Sequence, residues 1–188
     1  MEGDIDMEYH LSLPIEFEQI KKLKVGDILY VTGRLFTARD EAHHMMLHSD
    51  KIPFDPSVMG LYHCGPLMKK EGDKWKVVSA GPTTSSRMEI FEDEFIKRFG
   101  IGLIIGKGGM GERTEKALQK YICIYTSYTG GAGALAADKV KEVENVFCLD
   151  ELGMPEAIWI MKVKEFGHLL LQWTLKVAQF IKNLEKNN

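Results

Sequence analysis

The sequence has 188 residues, 45% of them hydrophobic and 27% charged, which is enough for one well-buried core and makes one domain the default. Its net charge of −3 leaves no basic surplus of the kind that nucleic acid or an anionic membrane calls for. No apolar run approaches the roughly 20 residues that cross a bilayer, and the acidic start MEGDIDMEYH lacks the pattern of a signal peptide. The three cysteines, Cys64, Cys123 and Cys148, are too few and too scattered for a disulfide framework, so a cytoplasmic protein is expected.

Residues 1–7 read as a loose end, and DILYVTGR (Asp27–Arg34) as a strand. The following ARDEAHHMML suits a helix beginning near Arg39. GLYHC (Gly60–Cys64) and WKVVSA (Trp75–Ala80) read as strands, with KKEGDK as a polar turn between them. Next comes the clearest helix: Met88, Phe91, Phe95 and Phe99 recur at three- and four-residue spacing with Ile96 beside them. Glu92, Asp93, Lys97 and Arg98 fall to its polar face, and Gly100 ends it. Thr83, Thr84, Ser85 and Ser86 stand where an N-cap belongs. IGLII then predicts a buried strand, GKGGMG a loop, ERTEKALQKY a helix, YICIYT a strand and GGAGALAADKVKEV a helix. EAIWIMKVKEF alternates as a strand, whereas Leu169, Trp173, Val177, Phe180, Ile181 and Leu184 follow a helical period that predicts a terminal helix. Helices alternating with short apolar strands indicate an α/β sheet in one domain.

Chemistry concentrates in GPTTSSRM (Gly81–Met88), which joins a strand to the long helix. A helix N-terminus offers unpaired N–H groups and partial positive charge, and Arg87 adds a forked guanidinium that suits a carboxylate. The competing reading is simple capping with a solvated Arg87, yet capping needs one hydroxyl and four are present. Gly106, Gly108 and Gly111 match GxGxxG, but the stretch YTSYTGG lacks the acidic residue a dinucleotide requires, so an NAD-dependent oxidoreductase is excluded. What remains there is a tight loop presenting Lys107, as a ligand-facing cation or as a solvated side chain. His44 and His48 have zinc-like spacing without an identifiable third ligand, and the neighbours Cys64 and His63 show no base–orienter set. Tyr125 and Tyr128 read as packing residues.

TARDEAH, LYHCGP, GPTTSSRM, IGKGGM, GGAGAL and GMPEAIW resemble, in this order, the β subunit of class I fumarases and L(+)-tartrate dehydratases, which forms the C-terminal domain of the single-chain members. The resemblance runs from about residue 9 to 166; the end HLLLQWTLKVAQFIKNLEKNN, with Gln172 and Trp173 where the family commonly has an Asp and a Gly-Asn turn, departs from it, so residues 168–188 form a divergent segment. It implies a single swivelling β/β/α domain across residues 1–188 and a hydro-lyase acting on a small dicarboxylate, fumarate/malate first and L(+)-tartrate as the alternative. It implies a [4Fe–4S] cluster carried by a separate α subunit, no metal ligand in this chain, activity only with that partner, and a larger hetero-oligomer. Carried over by motif, the substrate-binding residues are Arg39, Thr83, Thr84, Arg87 and Lys107, with Thr83 as the catalytic base. A threonine hydroxyl acts as a base near neutral pH only if another group takes its proton, which implies an acidic residue of the α subunit. A non-catalytic carboxylate-binding module is the rival from another class.

Overall fold

The computed structural model of the chain describes residues 7–128 and 133–173. Nine strands and six α-helices follow one another along these residues: β1 (Glu8–Ser12), α1 (Phe17–Ile20), β2 (Ile28–Thr37), α2 (Asp40–His48), β3 (Gly60–Tyr62), β4 (Leu67–Glu71), β5 (Lys74–Ser79), α3 (Glu89–Phe99), β6 (Leu103–Gly106), α4 (Glu112–Tyr121), β7 (Ile124–Tyr128), α5 (Gly133–Lys139), β8 (Val140–Phe147), α6 (Leu149–Leu152) and β9 (Ile158–Trp173). Seven strands form one sheet in the order β1-β2-β3-β6-β7-β9-β8, and β4 with β5 forms a separate hairpin. Strands β2, β3, β6 and β7 run parallel, with α2 leading from β2 to β3, α3 preceding β6 and α4 joining β6 to β7. The long β9 runs antiparallel to β7 and also to β2, so β2, β3, β6, β7 and β9 close into a ring.

Two apolar clusters result. Leu103 and Ile105 of β6 belong to the first, with Tyr62, Leu29, Val163 and Phe166. Ile104, between them, belongs to the second with Leu61 and Phe36, and there meets Met46 of α2, Phe95 and Ile96 of α3 and Leu118 of α4. A strand buried on both faces carries no polar alternation, which is why IGLII is uniformly apolar. Helix α3 packs between α2 and α4, and Gly100 closes it at φ 63°, as expected of a residue just past a helix end.

Several expectations need correction. Val140–Phe147 is a strand, not the end of a helix. Its valines at 140, 143 and 146 pack against the core at helical spacing because two irregularities interrupt its pairing with β9. The KK of KKEGDK lies within β4, whose exposed residues give no apolar signal. Leu169 and Trp173 lie in β9 rather than in a terminal helix, while Val177, Phe180, Ile181 and Leu184, like residues 1–6, lie outside the described residues. None of the four hydroxyls at 83–86 caps a helix: a 3-10 turn over Ser85–Met88 precedes α3, and neither carries a side-chain cap. Glu92, assigned to the polar face, is fully buried.

Candidate functional site

Two of three adjacent parallel strands, β2 and β6, lead into predicted anion-binding residues, and β3 between them leads into His63, which was not among them. Arg39 follows the carboxyl end of β2 and opens α2, His63 follows β3, and Lys107 follows β6. Ligands of α/β sheets bind outside these carboxyl ends, where the chain turns from strand to helix. The 83–87 turn is drawn to the same end by backbone pairing. Thr83 N–H donates to the His63 carbonyl at 2.8 Å, Ser85 N–H donates to the Lys107 carbonyl at 3.0 Å, and Thr84 bridges Lys107 in parallel. Arg87 pairs with Asp40, which joins this turn to the start of α2. Thus the segments of Arg39, Thr83, Thr84, Arg87 and Lys107 meet although they are distant in sequence.

The cations differ in their surroundings. Arg39 Nε stands 3.1 Å from Glu156 Oε1, and both side chains are about four-fifths covered, at 22% and 17% exposure. The Arg87 side chain is half exposed beside Asp40, so a substrate carboxylate would share it with that residue. Lys107 is exposed and, among the described residues, has no ion-pair partner. Gly65 is what lets Arg39 lie as it does: a Cβ there would fall 2.6 Å from Arg39 Nη1 and 2.7 Å from the Pro155 carbonyl oxygen. Backbone cannot yield to that methyl, so Gly65→Ala is expected to displace the guanidinium. The expected result is weaker dicarboxylate binding by about 10-fold or more, the worth of a charge-assisted bond, read by titration of the assembled protein; unchanged affinity would remove Arg39 from the site.

The glycine loop has a local explanation. A Cβ on Gly106 would overlap Ser85 Oγ at 1.8 Å, Gly108 has φ 73°, and a Cβ on Gly111 would lie 2.6 Å from Glu89 Oε1. Glu89 of α3 accepts from Gly111 N–H at 2.7 Å, Thr114 N–H at 3.2 Å and the Thr114 hydroxyl at 2.7 Å. A carboxylate of the chain itself therefore occupies the N-terminus of α4, where a dinucleotide pyrophosphate would sit. GxGxxG here serves close packing and presents Lys107.

Sequence reasoning missed a buried trio behind the site. His43 (α2), His63 and Glu92 (α3) have no exposed side-chain surface, and Glu92 Oε2 lies 3.5 Å from His43 Nε2 and 3.2 Å from His63 Nε2. Burial opposes the Glu92 charge, yet the attraction of His63 and of His43 outweighs it and holds the carboxyl at about 2. His63 is pushed down chiefly by burial, against the pull of Glu92, which favours its neutral ring. The signal available in the sequence was position: Glu92 stands four residues after Met88 and four before Ile96, on the apolar stripe itself.

Other candidates are packing groups. The His44 and His48 rings lie 4.2 Å apart between centroids at a tilt of 34°, and His48 Nδ1 donates to the His44 carbonyl. Tyr125 and Tyr128 are buried and donate to the carbonyls of Gly108 and Gly167. Burial pushes the thiols of Cys64 and Cys123 up, away from the reactive thiolate.

By fold, the chain is a crossover α/β domain whose Arg39, Arg87 and Lys107 lie at one end of its parallel strands. Residues 3–171 match the family described as fumarase C-terminus, and the chain belongs to that family. It is 48% identical over 169 residues to a Methanocaldococcus jannaschii protein provisionally named L(+)-tartrate dehydratase subunit beta, covering 88% of this chain and 86% of that one. It is 45% identical over 166 residues to the L(+)-tartrate dehydratase subunit beta of Escherichia coli K12, covering 88% and 82%. A Geobacillus stearothermophilus protein provisionally named fumarate hydratase class I is 44% identical over 157 residues, which are 83% of this chain and 30% of that longer one.

Proposed function

We infer that the chain is the β subunit of a hydro-lyase that adds water to, or removes it from, a small dicarboxylate. The observation that carries this reading is the gathering of Arg39, the Thr83–Arg87 turn and Lys107 at the carboxyl ends of β2, β3 and β6. A four-carbon dicarboxylate has two charges, and cations fixed by rigid elements at both ends orient it without further ordering cost. The chain is read as one swivelling β/β/α domain. It acts in the cytoplasm, with an α subunit, in a larger hetero-oligomer. No helix among the described residues is long and apolar enough to cross a membrane.

The iron–sulfur cluster of the family does not fit this chain's cysteines. Cys64 follows β3 and Cys123 precedes β7, both buried, while Cys148 precedes α6. Among the described residues the one convergent set of potential ligands is His43, His63 and Glu92, without a cysteine. In this reading the α subunit carries the cluster. In this chain Arg39, Arg87 and Lys107 hold the carboxylates, and Thr84 adds a donor. Thr83 Oγ1 stands as the base for the proton on the carbon beside one carboxylate, handing its own proton to an acidic α-subunit side chain. Negative charge that builds on that carboxylate is stabilised by the same cations.

Fumarate/malate is the first substrate expected, and the names of the M. jannaschii and E. coli relatives favour L(+)-tartrate as the second. Anaerobic co-expression with the α subunit, followed by assays on malate, fumarate and L(+)-tartrate, tests both. Turnover of none of them, with dicarboxylate binding retained, would leave a non-catalytic binding module instead. Arg87→Ala is expected to raise KM by roughly 10- to 150-fold, the equivalent of 1.5–3 kcal/mol of charge-assisted bonding, with the smaller end favoured because Asp40 already shares the guanidinium. A KM within a factor of two of the parent would take Arg87 out of the clamp.

A further inference from the structure

We propose that the buried His43–Glu92–His63 trio is the positioning device of the anion site, locking its three separate segments into one geometry; this rests on the site reading above. Each segment is bonded to the trio or to its direct neighbour. His43 Nδ1 donates to the carbonyl of Arg39 at 2.7 Å, which fixes the first residue of the clamp from inside α2. The carbonyl of His63 receives Thr83 N–H at 2.8 Å. His63 Nδ1 lies 2.9 Å from Ser85 Oγ, and the same Oγ accepts from Lys107 N–H at 3.1 Å. Glu92 Oε2 faces both rings within ion-pair distance without a hydrogen bond to either, so one carboxylate on α3 stands between the elements that carry the ends of β2 and β3.

The chemistry of the trio makes it a rigid joint. A carbonyl oxygen only accepts, so His43 Nδ1 carries a hydrogen, and its Nε2 can then face Glu92 favourably only if one further proton lies between them. That proton balances the buried carboxylate, which otherwise has no counter-charge in this apolar setting. Phe95 lies 4.4 Å from the His43 ring, between centroids, and seals it. Each ring therefore has its Nδ1 bonded to a site segment and its Nε2 turned toward the Glu92 carboxylate as a charge neighbour rather than a hydrogen-bond partner, so neither ring can turn without breaking its bond to the clamp. Side chains so held are what keep a binding constellation at its productive geometry.

Backbone hydrogen exchange in the full chain, with and without replacement, reads this directly and needs no enzyme activity. Glu92→Gln keeps the volume and removes the charge; Ser85→Ala leaves the trio intact and cuts only its link to Lys107. In Glu92→Gln, exchange at residues 83–87 and 106–108 is expected to rise about 10-fold or more while α4 and β7 stay as in the parent, a selective local opening. In Ser85→Ala the rise is expected at Lys107 alone. In the assembled enzyme both variants should lose about 10- to 100-fold in kcat/KM, as for outer partners of ligating side chains, mostly through KM. Unchanged exchange in the two segments, or a rise spread evenly over the whole chain, overturns the proposal. So does a stoichiometric metal ion in the purified chain that Glu92→Gln removes, since the three donors would then be ligands. Loss of selective protection without any dicarboxylate turnover by the parent enzyme would sink the hydro-lyase reading and leave the joint standing.

Discussion

Thr83→Ala in the assembled enzyme is expected to lower kcat by roughly 100- to 10,000-fold, the usual worth of a positioned general base, while KM stays within a small factor. The asymmetry follows from where the hydroxyl acts. Its contact with the substrate carbon is stronger in the transition state than in the bound ground state, so its loss falls on kcat. The structure removes the main confounding cost, because neither α3 nor the 3-10 turn before it is capped by a side chain. Thr83 is held instead by its own N–H on the His63 carbonyl, which alanine retains. The variant should thus fold and bind the α subunit as the parent does, which thermal unfolding and co-purification check. Steady-state kinetics of Thr83→Ala and Thr83→Ser then decide. Near-parental kcat in the alanine variant would leave Thr83 as part of the turn only, with the base supplied by the partner.

How far the sequence could be read depended on whether one element alone determined the pattern. Helices α3 and α4 and strand β6 were legible because each has a single apolar stripe or a wholly apolar run between clear stops such as Gly100, whereas the strand expected over YICIYT begins only at Ile124, after Tyr121 has ended α4, and runs on through Thr126 and Ser127. Strand β8 was not, because its irregular pairing changes the apolar period from two to three and imitates a helix. The long β9 reads ambiguously beyond Phe166, where its residues pair with both β2 and β7 and lose alternation. In the site, the residue types Arg39, Thr83, Thr84, Arg87 and Lys107 stood out through motif and charge. Their convergence was expected only through the family resemblance, since no single element carries it: it depends on the order β2-β3-β6, a non-local property. The buried trio was hidden for another reason: a glutamate on an apolar stripe makes sense only once histidines from two other elements stand opposite it.

The largest effect on stability is expected at Glu92. Glu92→Ala strands two buried imidazoles without their carboxylate, and breaking a buried ion pair on one side costs about 3–5 kcal/mol. Against a total of roughly 5–15 kcal/mol for a domain, that is enough to lower the melting temperature by about 6–20 °C at this size. Acid should expose the same group in the parent protein. Glu92 titrates near its ordinary 4.5 when unfolded and at about 2 when folded, so its contribution is complete above 4.5 and is lost progressively as pH falls toward 2. His63 acts in the same direction: its folded value lies below the ordinary 6.5, so the unfolded chain takes up that proton first and stability declines as pH drops below 6.5. Urea unfolding of the parent and of Glu92→Gln at several pH values between 3 and 7 separates the two groups. The parent should lose stability more steeply below pH 4.5, because glutamine has no carboxyl to protonate. Parallel curves for the two proteins in that lower range would mean that Glu92 is not ionised in the fold.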